Sequence, residues 1–308
     1  MNTMHRIGAT AALALVLGIG TARAQAPPPP QPPAAAPAPQ QDFSKVEIKT
    51  TKLSGNFYTL EGSGGMIGVL AGPDGVFMVD SQYAPLTDKI VAAIKQISDG
   101  RIRFMVNTHV HPDHTGGNEN LGKMGVILLS RDQLRARLGG GARPSPPAAL
   151  ALLTYDSPIT IHMNGEDVQL IPVRAAHTDG DTMVYFPKAD VIMTGDFYRA
   201  VGYPYPDRAN GGSFKGLVDG LNAVIALAGP NTKIVPGHGD VVNKTAVAAH
   251  RDVALAVRDK IAGLVKQGKT ADEIVAMKPT AEFDAKIAQP GTSAERFVRA
   301  LVAELSGQ

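Results

Sequence analysis

Short apolar runs separated by Gly, Pro, Asn and Asp fill the chain after residue 41: Val46 to Lys52, Phe57 to Leu60, Met66 to Ala71 and Val76 to Val79. Runs of this length, broken by turn formers, predict an antiparallel meander. The period then changes. Thr87 to Ile97 carries apolar residues at helical spacing and Phe104 to Val106 reads as a buried strand; Val126 to Leu129 and Asp132 to Leu138 repeat strand then helix. A Gly/Pro loop from 139 to 147 precedes a second set of strands, at Ile159 to Met163, Val168 to Val173, Thr182 to Phe186 and Val191 to Met193. Leu217 to Leu227, Val241 to Gln267, Ala271 to Met277 and Ser293 to Leu305 fit helices, with Lys233 to Val235 a strand between the first two. Two β-rich halves with helices outside predict an α/β fold in four layers, an αββα sandwich. The halves are alike in type, but no repeat of fixed period joins them.

The first 41 residues follow other patterns. Arg6, the apolar run Ala11 to Ile19 and the small-x-small triplet Ala22-Arg23-Ala24 read as a secretory signal peptide over residues 1–24. Residues 25–41 are nearly all Pro, Ala and Gln, a composition with little to bury that predicts an extended linker. Residues 42–308 then form one domain ending in helices. The apolar run is shorter than the roughly 20 residues a spanning helix needs. With no cysteine in the chain, neither a lipid-modified anchor nor a disulfide is available. A periplasmic or secreted protein without a membrane anchor is expected.

Charge narrows the partners. Thirty Lys and Arg nearly balance 28 Asp and Glu, no basic run occurs, and aromatic residues make up 5% of the chain with no Trp, so neither the field nor the stacking platforms for nucleic acid are present. A small-molecule substrate is the expected partner, and no pattern in the chain sets an oligomeric state.

The densest chemistry lies at His109-Val110-His111-Pro112-Asp113-His114, which gathers three of the chain's eight histidines and a carboxylate. Imidazole and carboxylate are ligands for zinc and similar divalent ions, and four of them exceed what one catalytic ion with an open position needs. Two ions are expected. His109 and His111, two apart in extended chain, share a face and can grip one ion, while the break at Pro112 turns Asp113 and His114 toward another. Three further candidates each follow an apolar strand: His177 in Ala-Ala-His-Thr-Asp-Gly-Asp, Asp196 in Thr-Gly-Asp, and His238 in Pro-Gly-His-Gly. Strand ends hold side chains rigidly, and the loops that follow leave room for substrate.

In this order, with Asp80 ahead of them, these residues resemble the metallo-β-lactamase fold superfamily over most of residues 41 to about 250. The resemblance implies one zinc ion on His109, His111 and His177, a second on Asp113, His114 and His238, and Asp196 bridging them. It also implies that Asp80 braces the histidine loop by hydrogen bonds, although as a residue Asp80 reads equally as a strand-end turn former. Aspartate at 196, where the cysteine-containing β-lactamases have a thiolate, is similar to the glyoxalase II, lactonase and general hydrolase branches. After His177, Thr178-Asp179-Gly180-Asp181 replaces the Thr-Pro-Gly-His of many thioesterases and lactonases, which turns the resemblance toward secreted β-lactamase-like metallo-hydrolases.

Two such ions share a water, lower its pKa from about 16 toward neutrality and hold the resulting hydroxide beside a carbonyl. Asp113 is the residue expected to orient that nucleophile and move its proton to the leaving group. No Gly-x-Ser-x-Gly elbow offers a serine alternative. Arg199 and Asn210 fall where related β-lactamases carry a carboxylate-binding Lys and a substrate-contacting Asn, so the resemblance implies substrate binding for both. Tyr198, Tyr203 and Tyr205 either line the pocket or pack the loop, and His162 and His250, outside every motif, read as structural. The expected activity is hydrolysis of a small cyclic amide or ester, with a β-lactam the best-named case. The alternative is a thioesterase or lactonase of the glyoxalase II or acyl-homoserine lactonase type. A diiron redox or binding protein is disfavoured, because such scaffolds usually replace a motif histidine by glutamate.

Overall fold

The computed structural model describes residues 41–289, 291 and 293–307, so the expected signal peptide, and the linker up to residue 40, lie outside the described residues. Four strands, β1 (Lys49–Ser54), β2 (Phe57–Glu61), β3 (Ile67–Gly72) and β4 (Gly75–Val79), form the antiparallel meander. Helix α1 (Thr87–Lys95) then carries the chain across to β5 (Ile102–Val106), which runs parallel to β4. Two short helices, α2 (Pro112–Thr115) and α3 (Asn118–Lys123), lead to β6 (Ile127–Arg131), and α4 (Asp132–Gly139) leads to β7 (Leu153–Tyr155), completing a seven-stranded sheet.

The second sheet begins with β8 (Ile159–Met163), β9 (Glu166–Pro172), β10 (Thr182–Phe186) and β11 (Val191–Met193), all antiparallel. Helix α5 (Phe214–Leu227) crosses back to β12 (Lys233–Val235), which lies parallel to β11 at the sheet edge. The chain ends in α6 (Lys244–Lys266), α7 (Ala271–Ala276) and α8 (Ser293–Leu305).

Side-chain alternation explains how the layers hold. Phe57, Phe77, Val79, Val106, Leu170, Val184, Phe186 and Val235 point between the sheets and make the central core. The outer face of the first sheet packs Val69, Met78 and Met105 against Ile90 and Ile94 of α1. The outer face of the second packs Met183, Ile192 and Ile234 against Leu217, Leu221 and Val224 of α5. β3 and β4 read as nearly continuous apolar runs because both of their faces are covered. Each fully buried Phe, Leu or Ile contributes about 1.5–3 kcal/mol, and the four-layer order is the arrangement that buries all of these faces at once. A separate cluster joins Val257 and Ile261 of α6, Ile274 of α7 and Phe297 and Leu301 of α8.

The expected αββα sandwich is therefore observed, with local differences. Val46 and Ile48 pack beneath α1 ahead of β1 instead of pairing, and Val242 bridges to Ile234, so α6 starts only after Asn243, whose side chain caps it. α2 begins inside the histidine motif, at Pro112, and α3 lies in the segment that follows it. β7, too short to show a period, was not anticipated. Among the described residues no helix is long and apolar enough to cross a membrane.

Candidate metal centre

Strand ends of both sheets converge on one site. β5 delivers His109, His111 and, through α2, Asp113 and His114; β9 leads to His177, β11 to Asp196 and β12 to His238. The donor atoms form two groups, His109, His111, His177 and Asp196 in one and Asp113, His114 and His238 in the other, each with all its atoms within 4.8 Å of one another. Asp196 touches both. Its Oδ1 lies 3.2 Å from Nε2 of both His114 and His238, and its Oδ2 is 3.8 Å from His177 Nε2. Asp113 Oδ2 is 3.1 Å from His238 Nε2.

The residues present fit a divalent cation. His109 Nε2, His114 Nε2 and Asp196 Oδ1 are buried without a hydrogen-bond partner, although two of them lie within ion-pair distance of each other. Three lone-pair donors aimed into one buried space form a costly arrangement unless something electrophilic sits among them. The opposite nitrogens are held by protein groups. His109 Nδ1 meets Thr108 Oγ1 at 3.1 Å, His111 Nε2 meets Asp207 at 2.7 Å, His114 Nδ1 meets Asp80 at 2.7 Å and His177 Nδ1 meets the Tyr205 carbonyl at 2.5 Å. Such partners fix tautomer and ring orientation, as metal-ligating histidines require.

Electrostatics agree. Burial, with His114 and His177 nearby, drives His109 well below the usual histidine range, and burial brings His177 down to about 4, so both present neutral imidazoles. Burial acts in the same direction on His114, but Asp80 and Asp196 together outweigh it and hold the ring well above its ordinary value. Burial of Asp113 and Asp196 is likewise outweighed by their histidine neighbours, which keep both carboxylates ionised.

Around the donors lies a shell of which the sequence pointed only to Asp80, as a brace of the histidine loop. Asp80, in the left-handed region at φ 61°, accepts from Thr108 N and Thr108 Oγ1, both at 2.7 Å, as well as bonding His114. Ser81 and Asn107 donate to the His114 carbonyl, and Asn118 locks onto Asn107. Asp181 accepts from His177 N at 2.6 Å and from Thr178 N and Oγ1, which sets the turn that presents His177. Asp207, between Pro206 and Arg208, gave no signal beyond a turn; only the fold brings it to His111. Glycines make room for the ligands: a Cβ on Gly65 would overlap the His114 ring, and one on Gly237 would overlap Asp196 Oδ1. Gly65→Ala is therefore expected to lower metal content while leaving the fold intact, read by metal analysis alongside circular dichroism; unchanged content would mean that the Gly65 loop retreats from the ring.

The residues expected to bind substrate divide. Arg199 reaches the centre, its Nη1 3.7 Å from Asp196 Oδ2, and borders a cavity of about 930 Å³. Asn210 does not offer a free amide. Its Nδ2 donates to Asp207 at 2.7 Å and its Oδ1 accepts from Arg137, so the structure gives it a bracing position beside His111's partner and not on the cavity wall. Tyr203 and Tyr205 border the cavity, whereas Tyr198 is buried against His250. Burial brings His250 down to about 4, and His162 is an exposed partner of Asp167.

Comparison with known proteins places this geometry. The metallo-beta-lactamase superfamily pattern matches residues 60–238, more than half of the chain. A hydroxyacylglutathione hydrolase from Nitrosococcus oceani is 27% identical over 179 residues, covering 54% of this chain and 60% of the relative, so the chain matches less than two thirds of that protein's length. Among solved structures, a metallo-beta-lactamase from Pontibacter korlensis superposes at a TM-score of 0.57 with 16% identity, over 66% of this chain and 96% of its own. A stereoselective inverting sec-alkylsulfatase from Pseudomonas sp. does so at 0.62 with 16% identity, over 83% of this chain and half of its own. Fold, donor set and matched pattern point the same way. The chain belongs to the metallo-beta-lactamase superfamily.

Proposed function

We propose that this protein is an exported dinuclear hydrolase of small acyl substrates, holding one divalent ion on His109, His111 and His177, a second on Asp113, His114 and His238, and Asp196 between them. The observation that carries the reading is the set of three buried, unpartnered donor atoms at the meeting point of two ligand groups. Zinc is the metal proposed, since imidazole and carboxylate donors suit it. When bound, such ions polarise a carbonyl and acidify a shared water.

The chain's own residues supply the rest. Asp113 is ionised and its side chain is 21% exposed, against 4% for Asp196, so Asp113 is the carboxylate that can meet a substrate. It takes the proton of the attacking water on its carboxylate and passes it to the departing nitrogen, oxygen or sulfur. Asp80, Asp207 and the Tyr205 carbonyl keep three rings in place through the cycle. Export rests on Arg6, the apolar run Ala11 to Ile19 and the triplet at 22–24.

A cyclic amide such as a β-lactam is the substrate proposed first. A thioester is the second reading, favoured by the similarity to a hydroxyacylglutathione hydrolase. The test is metal analysis of the purified chain, followed by turnover of a chromogenic cephalosporin, a lactone and a glutathione thioester. Two ions per chain and hydrolysis of one of these substrates is the expected result. One ion or none after reconstitution, or no turnover of any, would overturn it.

A further inference from the structure

The cavity beside the metal centre has a wall that lies outside the matched superfamily region. Its near side is Arg199, against Asp196, and Asp207, against His111. Its far side is Arg296, on α8. The Arg296 guanidinium lies over the Tyr205 ring, 4.0 Å from its centroid, and the Tyr205 carbonyl holds His177 Nδ1. One residue therefore connects this cation to the candidate metal ligands.

The charges of the wall do not cancel. Asp207 is engaged by His111 and Asn210, and Glu295 by Arg299, which also pairs with Asp272. Among the described residues, no carboxylate lies within ion-pair distance of Arg296. Arg199 has Asp196 near one end only, at 3.7 Å, and its Nε is buried without a hydrogen-bond partner. Burial and the nearby Arg199 lower the Arg296 pKa, outweighing Tyr205, Asp196 and Asp207, which act the other way. A planar guanidinium held flat on an aromatic ring keeps its edge donors free and loses little freedom when it captures an oxyanion.

We propose that Arg296 is a specificity-determining residue that, with Arg199, binds a carboxylate or similar oxyanion on the substrate, placed away from the bond being cut. The inference rests on the hydrolase reading and narrows its substrate class to anionic acyl compounds. It also gives the C-terminal helices a purpose in selecting substrate, because α8 brings Arg296 to the cavity and is anchored there by Phe297 stacking on Tyr203.

The test compares two esters with one leaving group, 4-nitrophenyl hemisuccinate and 4-nitrophenyl butyrate, which differ chiefly by a carboxylate. Arg296→Ala is expected to raise KM for the hemisuccinate about tenfold, with kcat within about twofold, and to leave the butyrate unchanged. Arg296→Lys should recover part of the loss, since it keeps the charge without the fork. Arg296→Met keeps an apolar stem over Tyr205 and serves if the alanine variant folds poorly. Calorimetric titration of the metal-depleted chain with succinate gives a readout free of turnover, and Arg296→Ala should weaken that binding about tenfold. Equal loss on both esters, or succinate affinity that is absent in the parent or unaltered in the variant, would overturn the proposal. If neither ester is cleaved, the hydrolysis of such esters fails on its own and the succinate titration still decides the anion site.

Discussion

Asp196→Ala should lower bound metal from about two ions per chain toward one and cut turnover by more than about a hundredfold. The carboxylate is almost fully buried and faces both ligand groups, with Oδ1 3.2 Å from two imidazole nitrogens and Oδ2 toward His177. Its removal takes a negative charge from a pocket of five histidines, so any cation there loses attraction as well as a donor. Asp196→Asn separates these effects: it keeps the shape and one oxygen, and should hold metal better than alanine but worse than the parent. The measurement is metal content by elemental analysis beside steady-state turnover. Two retained ions with ordinary turnover in the alanine variant would sink the bridging assignment.

His109→Ala and Asp80→Ala should fail in opposite ways. His109 offers a buried Nε2 that nothing in the metal-free chain satisfies, so its loss removes a ligand but relieves an unpaired polar atom. Metal binding to its group should collapse while the metal-free chain melts close to the parent temperature. Asp80 lies outside both ligand groups, yet three donors depend on it, and its deletion strands Thr108 N and Oγ1 in the interior and frees the His114 ring. At about 1–3 kcal/mol for each buried group left unsatisfied, the metal-free Asp80→Ala chain should lose several kcal/mol. Its metal affinity should fall by only about 10–100-fold, recoverable at high metal concentration. Melting curves of the metal-depleted variants, with metal titrations, separate the two; matching losses in both assays would show that Asp80 acts as a ligand.

The layers and the seven donors could be read from the chain because each rests on a local pattern. Alternation marks the strands, helical spacing marks α1 and α5, and the histidine motif packs its chemistry into six residues. What could not be read was held by contacts distant in sequence. Asp207 meets His111 from 96 residues away, and Arg296 arrives at the cavity on a helix whose pattern shows only that one face is apolar. Asn210 was placed by analogy of position, and its amide instead joins Asp207 to Arg137. Short elements escaped for another reason: β7 has three residues and α2 four, fewer than a period needs to appear.

The donors come from strand ends of both sheets, so an ion held by one group would tie residues 109 to 196 together, and an ion held by the other residues 113 to 238. In a polypeptide without cysteine, this is a cross-link of a reversible kind. A covalent tie closing a loop of about 100 residues would restrict the unfolded ensemble by on the order of 5 kcal/mol. A coordination tie instead draws its strength from mass action, gaining about 1.4 kcal/mol for each tenfold rise in free ion above the dissociation constant. On the proposed reading, the melting temperature should report the metal supply of the surroundings, and a chain in metal-poor conditions should lose activity and thermal stability together.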